Sequence, residues 1–288
     1  MQRKAVGIWS VLWPTLVLST VLSLMACGAA DSTVVLPGTD EAREPVALHV
    51  VCSEGIAPAI QAAAAAYGQN HPEVDITLLV RADTLAWQAL QTGDAEVAVL
   101  TWLPEALGND TWVRILSRDG LAIVVHPRNQ ISSLTVTQLQ DLFQGRVEDW
   151  AAWGGPPGPP MVVSREAASG EAAFFQAWVM RDARTTLTAV LAPSTDAVLQ
   201  YVASDLHAVG YVSTARLDGR VRAVPINGVS VDETALQTGQ YPLVRTHFVL
   251  TLREPVEPAR SFVQWLLEAP GQTVLSSWSL IPASDSGD

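Results

Sequence analysis

Strand-like and helix-like segments alternate along most of this chain. Short apolar runs that suit buried strands are separated by longer segments rich in helix-forming residues. This alternation is typical of a parallel sheet covered by helices on both faces, so we predict a doubly wound α/β fold. The predicted strands are 46–52, 74–80, 95–100, 120–127, 162–164, 208–213 and 243–252, and the predicted helices are 58–69, 85–91, 136–143, 171–180, 196–204, 258–268 and 272–278.

The N-terminus has the composition of an export signal. Arg3 and Lys4 precede an apolar run over 5–26, and this run ends at a small residue followed by Cys27. An uncleaved membrane anchor is the alternative, because the run is nearly long enough to span a bilayer. Either interpretation places the globular part outside the cytoplasm.

The Leu-Met-Ala-Cys-Gly ending at 24–28 resembles the lipobox of bacterial lipoproteins. In that family the signal is cut before the cysteine, whose sulfur carries a diacylglyceryl group. The resemblance implies a signal peptide over 1–26 and a lipid on Cys27 that holds the protein at the membrane surface. Residues 27–44 are small, polar and acidic without periodicity, which predicts a flexible tether.

Charge and composition exclude several classes of protein. With 29 acidic against 17 basic residues and a net charge of −12, the chain is not suited to bind nucleic acid. Lys4 is the only lysine, which excludes Schiff-base chemistry and a P-loop in the mature protein. Neither a hydrolase motif nor a metal-ligand spacing of the 5 histidines is present. We therefore expect no enzyme activity, metal or cofactor.

The segment 162–171 carries the strongest local signal for a ligand. A short apolar strand ends at Arg165, and Ser169-Gly170 then opens the helix predicted over 171–180. The start of a helix presents unpaired N–H groups and the positive end of its dipole, which together favour an anion. Arginine adds a planar set of donors that suits carboxylate or phosphate oxygens. The sequence therefore predicts an oxyanion site at this loop.

A series of motifs in a particular order extends this prediction. They lie at 120–127, 134–139, 143–146, 149–150, 165–170, 209–212, 261–263 and 270–272. As an ordered set they resemble the substrate-binding proteins of phosphate ABC transporters, members of the type II periplasmic-binding-protein superfamily. The resemblance covers essentially all of the mature chain.

This resemblance implies two α/β lobes, each with a mostly parallel sheet, joined by two crossing strands that act as a hinge. The lobes would close over a ligand bound in the cleft between them. We assign 45–121 plus 222–288 to lobe 1 and 122–221 to lobe 2. The implied partners are inorganic phosphate and an ABC permease in the membrane, and we expect a monomer.

The family's site residues match this chain unevenly. Arg165, Ser169 and Gly170 match its arginine and Ser-Gly pair, whereas Glu171 stands at a position where the family usually has threonine. In the loop after the first strand, Glu54 stands at a hydroxyl position. The ligand-binding residues that the resemblance implies are Arg165, Ser169, Gly170, Glu171, Ser53, Glu54, Gly55, Arg81, Asp83, Thr84 and Thr101.

The carboxylates at these positions leave two interpretations open. One or two of them could accept a proton from monobasic phosphate. Alternatively, Glu54 and Glu171 could stabilise the first turns of their helices from outside. We therefore predict a lipid-anchored binding protein that captures phosphate or a related oxyanion for an ABC importer. The alternatives are a binder of a different ligand, or a sensor or assembly lipoprotein with the same fold and no transport role.

Overall fold

The structure is a computed structural model that describes residues 44–282. The predicted signal peptide over 1–26, the predicted lipidation at Cys27 and the tether up to residue 43 lie outside the described residues, as do residues 283–288. Within the described part, no helix combines the length and apolar character that crossing a membrane requires.

The described residues alternate between strands and helices, as predicted. The strands are β1 (Val46–Ser53), β2 (Val74–Arg81), β3 (Val97–Leu100), β4 (Trp112–Val125), β5 (Met161–Arg165), β6 (Val190–Ala192), β7 (Ala208–Ser213), β8 (Arg222–Ala223), β9 (Val244–Thr251) and β10 (Ile281–Pro282). The helices are α1 (Ala57–Asn70), α2 (Asp83–Thr92), α3 (Val136–Phe143), α4 (Gly170–Phe175), α5 (Thr195–Ser204), α6 (Glu233–Gln237), α7 (Ala259–Leu267) and α8 (Ala269–Ser276).

The strands form one sheet with the order β2-β1-β3-β9-β4-β7-β5-β6. In its first half, β1 lies parallel to β2 and β3, and in its second half β5 lies parallel to β6 and β7. The central strands β4 and β9 are antiparallel to each other and connect the halves through β7 and β3. The predicted α/β fold is confirmed.

Local sequence explains most element boundaries. Thr135, the predicted N-cap of α3, accepts a hydrogen bond from the Gln138 amide, and the Gln138 side chain accepts one from the Thr135 amide. This reciprocal pair is a capping box. The helix predicted over 171–180 begins at Gly170 and changes to a π-helical turn over Gln176–Met180. The strand predicted over 120–127 begins earlier, at Trp112, because its polar first part pairs with β9.

Each half of the sheet packs its own apolar side chains. In the first half, α1 and α7 cover one face, with Ile60 and Phe262 in the core, and α2 covers the other. In the second half, Phe143 and Trp150 belong to a core that also takes in apolar side chains of 224–243. The predicted lobe boundaries stay a prediction, but this packing places 224–243 with the second half. We therefore propose that the chain returns to lobe 1 near residue 244 rather than at 222.

Candidate ligand-binding site

The predicted site residues lie where the two halves of the sheet face each other. Residues 53–55, 81–84 and 101–102 lie at the carboxyl ends of β1, β2 and β3 and in the segments directly after them, and residues 165–171 run from the last residue of β5 into the first turn of α4. Carboxyl ends of parallel strands form the crevice in which open α/β sheets bind ligands. We call the region between these two sets of residues the cleft. Hydrogen bonds of Glu54 with Arg165 and of Asp83 with Gly170 connect its two sides.

The side chain of Arg165 is 1% exposed and is held almost entirely by protein groups. Its Nη2 donates to Glu54 Oε2 at 2.9 Å and to Glu166 Oε1 at 2.7 Å, and its Nε donates to Glu166 Oε2 at 3.0 Å. Its Nη1 donates to Thr195 Oγ1 at 2.8 Å. Burial by itself lowers the pKa of Arg165, but the hydrogen bonds to Glu166 and the charges of nearby glutamates outweigh burial and raise this pKa above its usual value. The guanidinium therefore stays charged.

Asp83 accepts a hydrogen bond from the Gly170 amide, a group that the sequence analysis assigned to a bound anion. Its Oδ2 accepts from the Gly170 amide at 2.8 Å, across the cleft. Its Oδ1 accepts from the amides of Thr101 and Trp102 at 2.7 and 3.0 Å, and the Thr101 hydroxyl also donates to it. Burial and the charge of Glu171 raise the pKa of Asp83, and its hydrogen bonds oppose that rise.

Glu171 also points into the cleft rather than away from it. Its side chain is 2% exposed, and its Oε1 lies 3.8 Å from Nη1 of Arg245. Neither of these atoms has a hydrogen-bond partner among the described residues. A Cβ atom on Gly55 would collide with this carboxylate, so the glycine leaves the space that Glu171 fills. The carboxylates of Glu54 and Glu171 therefore both lie between the halves, as the first of the two interpretations requires.

The remaining predicted residues have mostly structural partners. Ser53 donates to the Val99 carbonyl, and Ser169 accepts from the Ala172 amide as the N-cap of α4. The amide and hydroxyl of Thr84 donate to the Ala168 carbonyl across the cleft. Arg81 is not brought to the cleft. It is exposed and donates to the carbonyl of the preceding residue.

A buried charge network lies on the central strands beside the cleft, and the sequence reasoning did not find it. Asp119 on β4 accepts from Nε and Nη2 of Arg245 on β9 at 2.9 and 2.6 Å. Ser213 donates to the same carboxylate, and Nε2 of His247 lies 3.1 Å from it. Burial alone would raise the pKa of Asp119, but Arg245 and His247 hold it well below its usual value. The sequence signal that could have revealed the network was the presence of two oppositely charged residues, Asp119 and Arg245, within otherwise apolar strand segments.

Ser117, His247 and Asp119 have the residue types of a hydrolytic triad. Ser117 Oγ lies 3.1 Å from His247 Nδ1, and the opposite ring nitrogen faces Asp119. All three residues are 0% exposed, so the serine hydroxyl has no access to a substrate in this structure. The cluster therefore connects β4 to β9, and it carries no argument for catalysis.

Comparison with known proteins assigns the fold and the family. A family model described as the PBP superfamily domain matches residues 39–270. The chain belongs to this family. Among curated relatives, the phosphate-binding protein PstS of Bacillus subtilis (strain 168) is 24% identical over 255 residues, with 85% of this chain and 83% of the relative covered. PstS of Pseudomonas aeruginosa is 25% identical over 268 residues, with 82% of each chain covered.

Solved structures agree with this assignment. A putative phosphate ABC transporter substrate-binding protein with bound phosphate, from Clostridium perfringens, has a TM-score of 0.77 and 23% identity, covering 83% of this chain and 100% of that one. An ABC-type phosphate transport receptor from Vibrio cholerae has a TM-score of 0.70 and 24% identity, covering 82% and 100%. These structures confirm the periplasmic-binding-protein fold, and the PstS relatives confirm the resemblance to the substrate-binding proteins of phosphate transporters.

Proposed function

We propose that this chain is a solute-binding protein that captures phosphate or a related oxyanion in the cleft and delivers it to an ABC permease. The observation that carries the proposal is the position of Arg165, a charged and buried arginine at the carboxyl end of β5, beside the start of α4. A guanidinium held in place and the backbone amides at the start of a helix are groups that recognise phosphate oxygens. The names of the PstS relatives support phosphate as the ligand.

Binding requires the cleft to open and its present contacts to be exchanged. In the open form, Arg165 and the amides of Gly170 and Glu171 would face solvent on one side of the cleft. Ser53, Gly55 and Thr101 would supply hydroxyl and amide donors from the other side. Closure over the anion would then replace hydrogen bonds within the protein by hydrogen bonds to the ligand, and the closed form would be presented to the permease.

The test is isothermal titration calorimetry of the protein with phosphate. Arg165→Ala should weaken binding by about 2–5 kcal/mol, because the anion loses a buried charged partner. Arg146→Ala is the matched control, since the Arg146 side chain is 66% exposed, and it should bind like the parent protein. Equal affinity of the parent and the Arg165 variant would refute the role of Arg165.

Three carboxylates in the cleft favour a second candidate. Glu54, Asp83 and Glu171 lie among the donors that an anion would need. A protein of this kind could bind a ligand with a cationic group, or could act as a sensor or assembly factor without transport. A thermal-shift panel of phosphate, sulfate, molybdate and small zwitterions separates these cases, because a ligand of the native state raises the melting temperature. Stabilisation by zwitterions alone would favour the second candidate.

We also propose that the protein is anchored by lipid on Cys27 at the extracytoplasmic face of the bacterial membrane, as a monomer. The support is the sequence at 24–28, where a small residue and cysteine end the apolar run. Cys27→Ser should abolish incorporation of labelled fatty acid during expression in a bacterial host. Incorporation that persists in the variant would contradict the assignment.

A further inference from the structure

The carboxylate of Asp83 makes a set of contacts that a bound oxyanion would make. One of its oxygens accepts from the amides of Thr101 and Trp102, and the other accepts from the Gly170 amide on the opposite side of the cleft. The Thr101 hydroxyl donates to both oxygens, at 3.1 and 3.2 Å. Asp83 is 5% exposed, so these hydrogen bonds are shielded from bulk water.

The fit between Asp83 and Gly170 is close. A Cβ atom at position 170 would lie 2.6 Å from Oδ2 of Asp83 and 2.7 Å from its carboxyl carbon. Such distances do not occur for real side chains, so the absence of a side chain at Gly170 is what admits the carboxylate. The backbone at Gly170 on one side of the cleft thus leaves space for the carboxylate of Asp83 from the opposite side.

Other contacts across the cleft are also made by the protein itself. Glu54 Oε2 accepts from Arg165 at 2.9 Å and from the Thr195 amide at 3.3 Å. The Thr84 amide donates to the Ala168 carbonyl at 3.2 Å. The two halves are therefore held together by hydrogen bonds that require no ligand, and those to the carboxylates are charge-assisted.

We propose that Asp83 is a tethered ligand: its carboxylate occupies the position of the anion and keeps the cleft closed, so that an external anion binds only by displacing it. Asp83 is in this respect a specificity-determining residue that weakens anion capture. The proposal rests on the proposed function only for the identity of the competing anion. The carboxylate would act in the same way against any oxyanion, because two anions cannot share one set of buried donors without a large electrostatic cost.

The experiment compares the parent protein with Asp83→Ala, using formate and phosphate as probes. Truncation leaves the amides of Thr101, Trp102 and Gly170 with a gap the size of a carboxylate. Formate at millimolar concentration should therefore raise the melting temperature of the variant and leave that of the parent unchanged. Phosphate should bind the variant at least tenfold more tightly. Without ligand, small-angle scattering should give the variant a larger radius of gyration, which formate reduces.

Two further variants control the comparison. Asp75→Ala changes an exposed aspartate on β2 and should behave like the parent in every assay. Asp83→Asn keeps the side-chain volume but removes the charge. It replaces Asp83→Ala in these assays if the alanine variant does not fold. It should also bind phosphate more tightly than the parent.

The outcomes separate this inference from the proposed function. Weaker phosphate binding by Asp83→Ala, or equal stabilisation of parent and variant by formate, would overturn the inference and leave the proposed function standing. If neither protein binds phosphate, but the variant opens and binds formate, the tethered-ligand inference holds and the phosphate assignment fails.

Discussion

Replacing Asp119 by asparagine tests whether the buried charge network holds the central strands together. The side chains of Asp119 and Arg245 are both 0% exposed, and the carboxylate accepts two hydrogen bonds from the guanidinium at 2.6 and 2.9 Å. Asparagine has nearly the same volume, so Asp119→Asn removes the charge without creating a cavity. Arg245 would then be a buried cation without its main partner.

The expected loss is about 3–5 kcal/mol in the free energy of unfolding, the usual cost of removing one partner of a buried ion pair. The two hydrogen bonds support this figure, because each bond to a charged group contributes roughly 1.5–3 kcal/mol. Glu171, 3.8 Å from Nη1 of Arg245, would compensate only part of the lost interaction. A domain of ordinary stability, about 5–15 kcal/mol, would be strongly destabilised.

Urea unfolding followed by circular dichroism measures this loss, with Asp218→Asn as the matched control. Asp218 pairs with Arg220 at 2.7 Å, but both side chains are more than 40% exposed, so the same substitution there should cost less than about 1 kcal/mol.

The pH dependence supplies a second readout. The pKa of Asp119 is lower in the folded protein than its usual value of 3.8, so its stabilisation is complete above that value and is lost as the pH falls below it. The stability difference between the parent and Asp119→Asn should therefore be constant near neutral pH and decrease below about pH 4. A loss of less than about 1 kcal/mol at pH 7, or a difference that grows on acidification, would refute the reasoning.

Two further predictions concern single side chains. Thr135→Ala should destabilise the protein by about 0.5–2 kcal/mol in the same urea assay, because α3 loses its capping box, whereas the exposed neighbour Thr137→Ala should change stability little. A loss no larger than that of the control would contradict the capping role. Cys52 is 0% exposed, and burial, followed by the charge of Asp83, raises its pKa to about 12. In a Cys27→Ser background it should react with Ellman's reagent only after unfolding, and rapid reaction of the folded protein would show that the thiol is accessible.

The elements were predictable because their signals are local. Apolar runs marked β1 and β7, and Thr135 marked the start of α3 within one residue. The first half of β4 was missed because Arg114, Ser117 and Asp119 interrupt its apolar pattern. Ser117 and Asp119 find their partners, His247 and Arg245, on β9, and that pairing joins residues more than a hundred positions apart.

The residues of the site were easier to predict than their partners. Ser53, Asp83 and Thr101 do converge with Gly170, as the order of strands implied. Arg81 does not, because β2 is an edge strand whose last residue turns its side chain to solvent. No local pattern could show that Asp83 would take the Gly170 amide, since that contact depends on how the two halves of the sheet meet.

The charge balance of the cleft explains why these carboxylates have to be considered together. Among the described residues, Arg165 and Arg245 are the buried arginines in and beside the cleft. The carboxylates around them are the three of the cleft, together with Glu166, which pairs with Arg165, and Asp119, which pairs with Arg245. A dianion added to this arrangement would meet carboxylates within a few ångströms, and even two unit negative charges about 4 Å apart repel by about 4 kcal/mol at an effective dielectric constant of about 20. The two arginines cannot offset several such terms while they are bonded to the carboxylates already present. The proposed anion capture would therefore be an exchange, in which an incoming oxyanion takes donors that a protein carboxylate releases. Asp83 is the best placed to release them, because its donors are backbone amides and a hydroxyl rather than an arginine. Among the described residues, its hydrogen bond across the cleft is the one to Gly170.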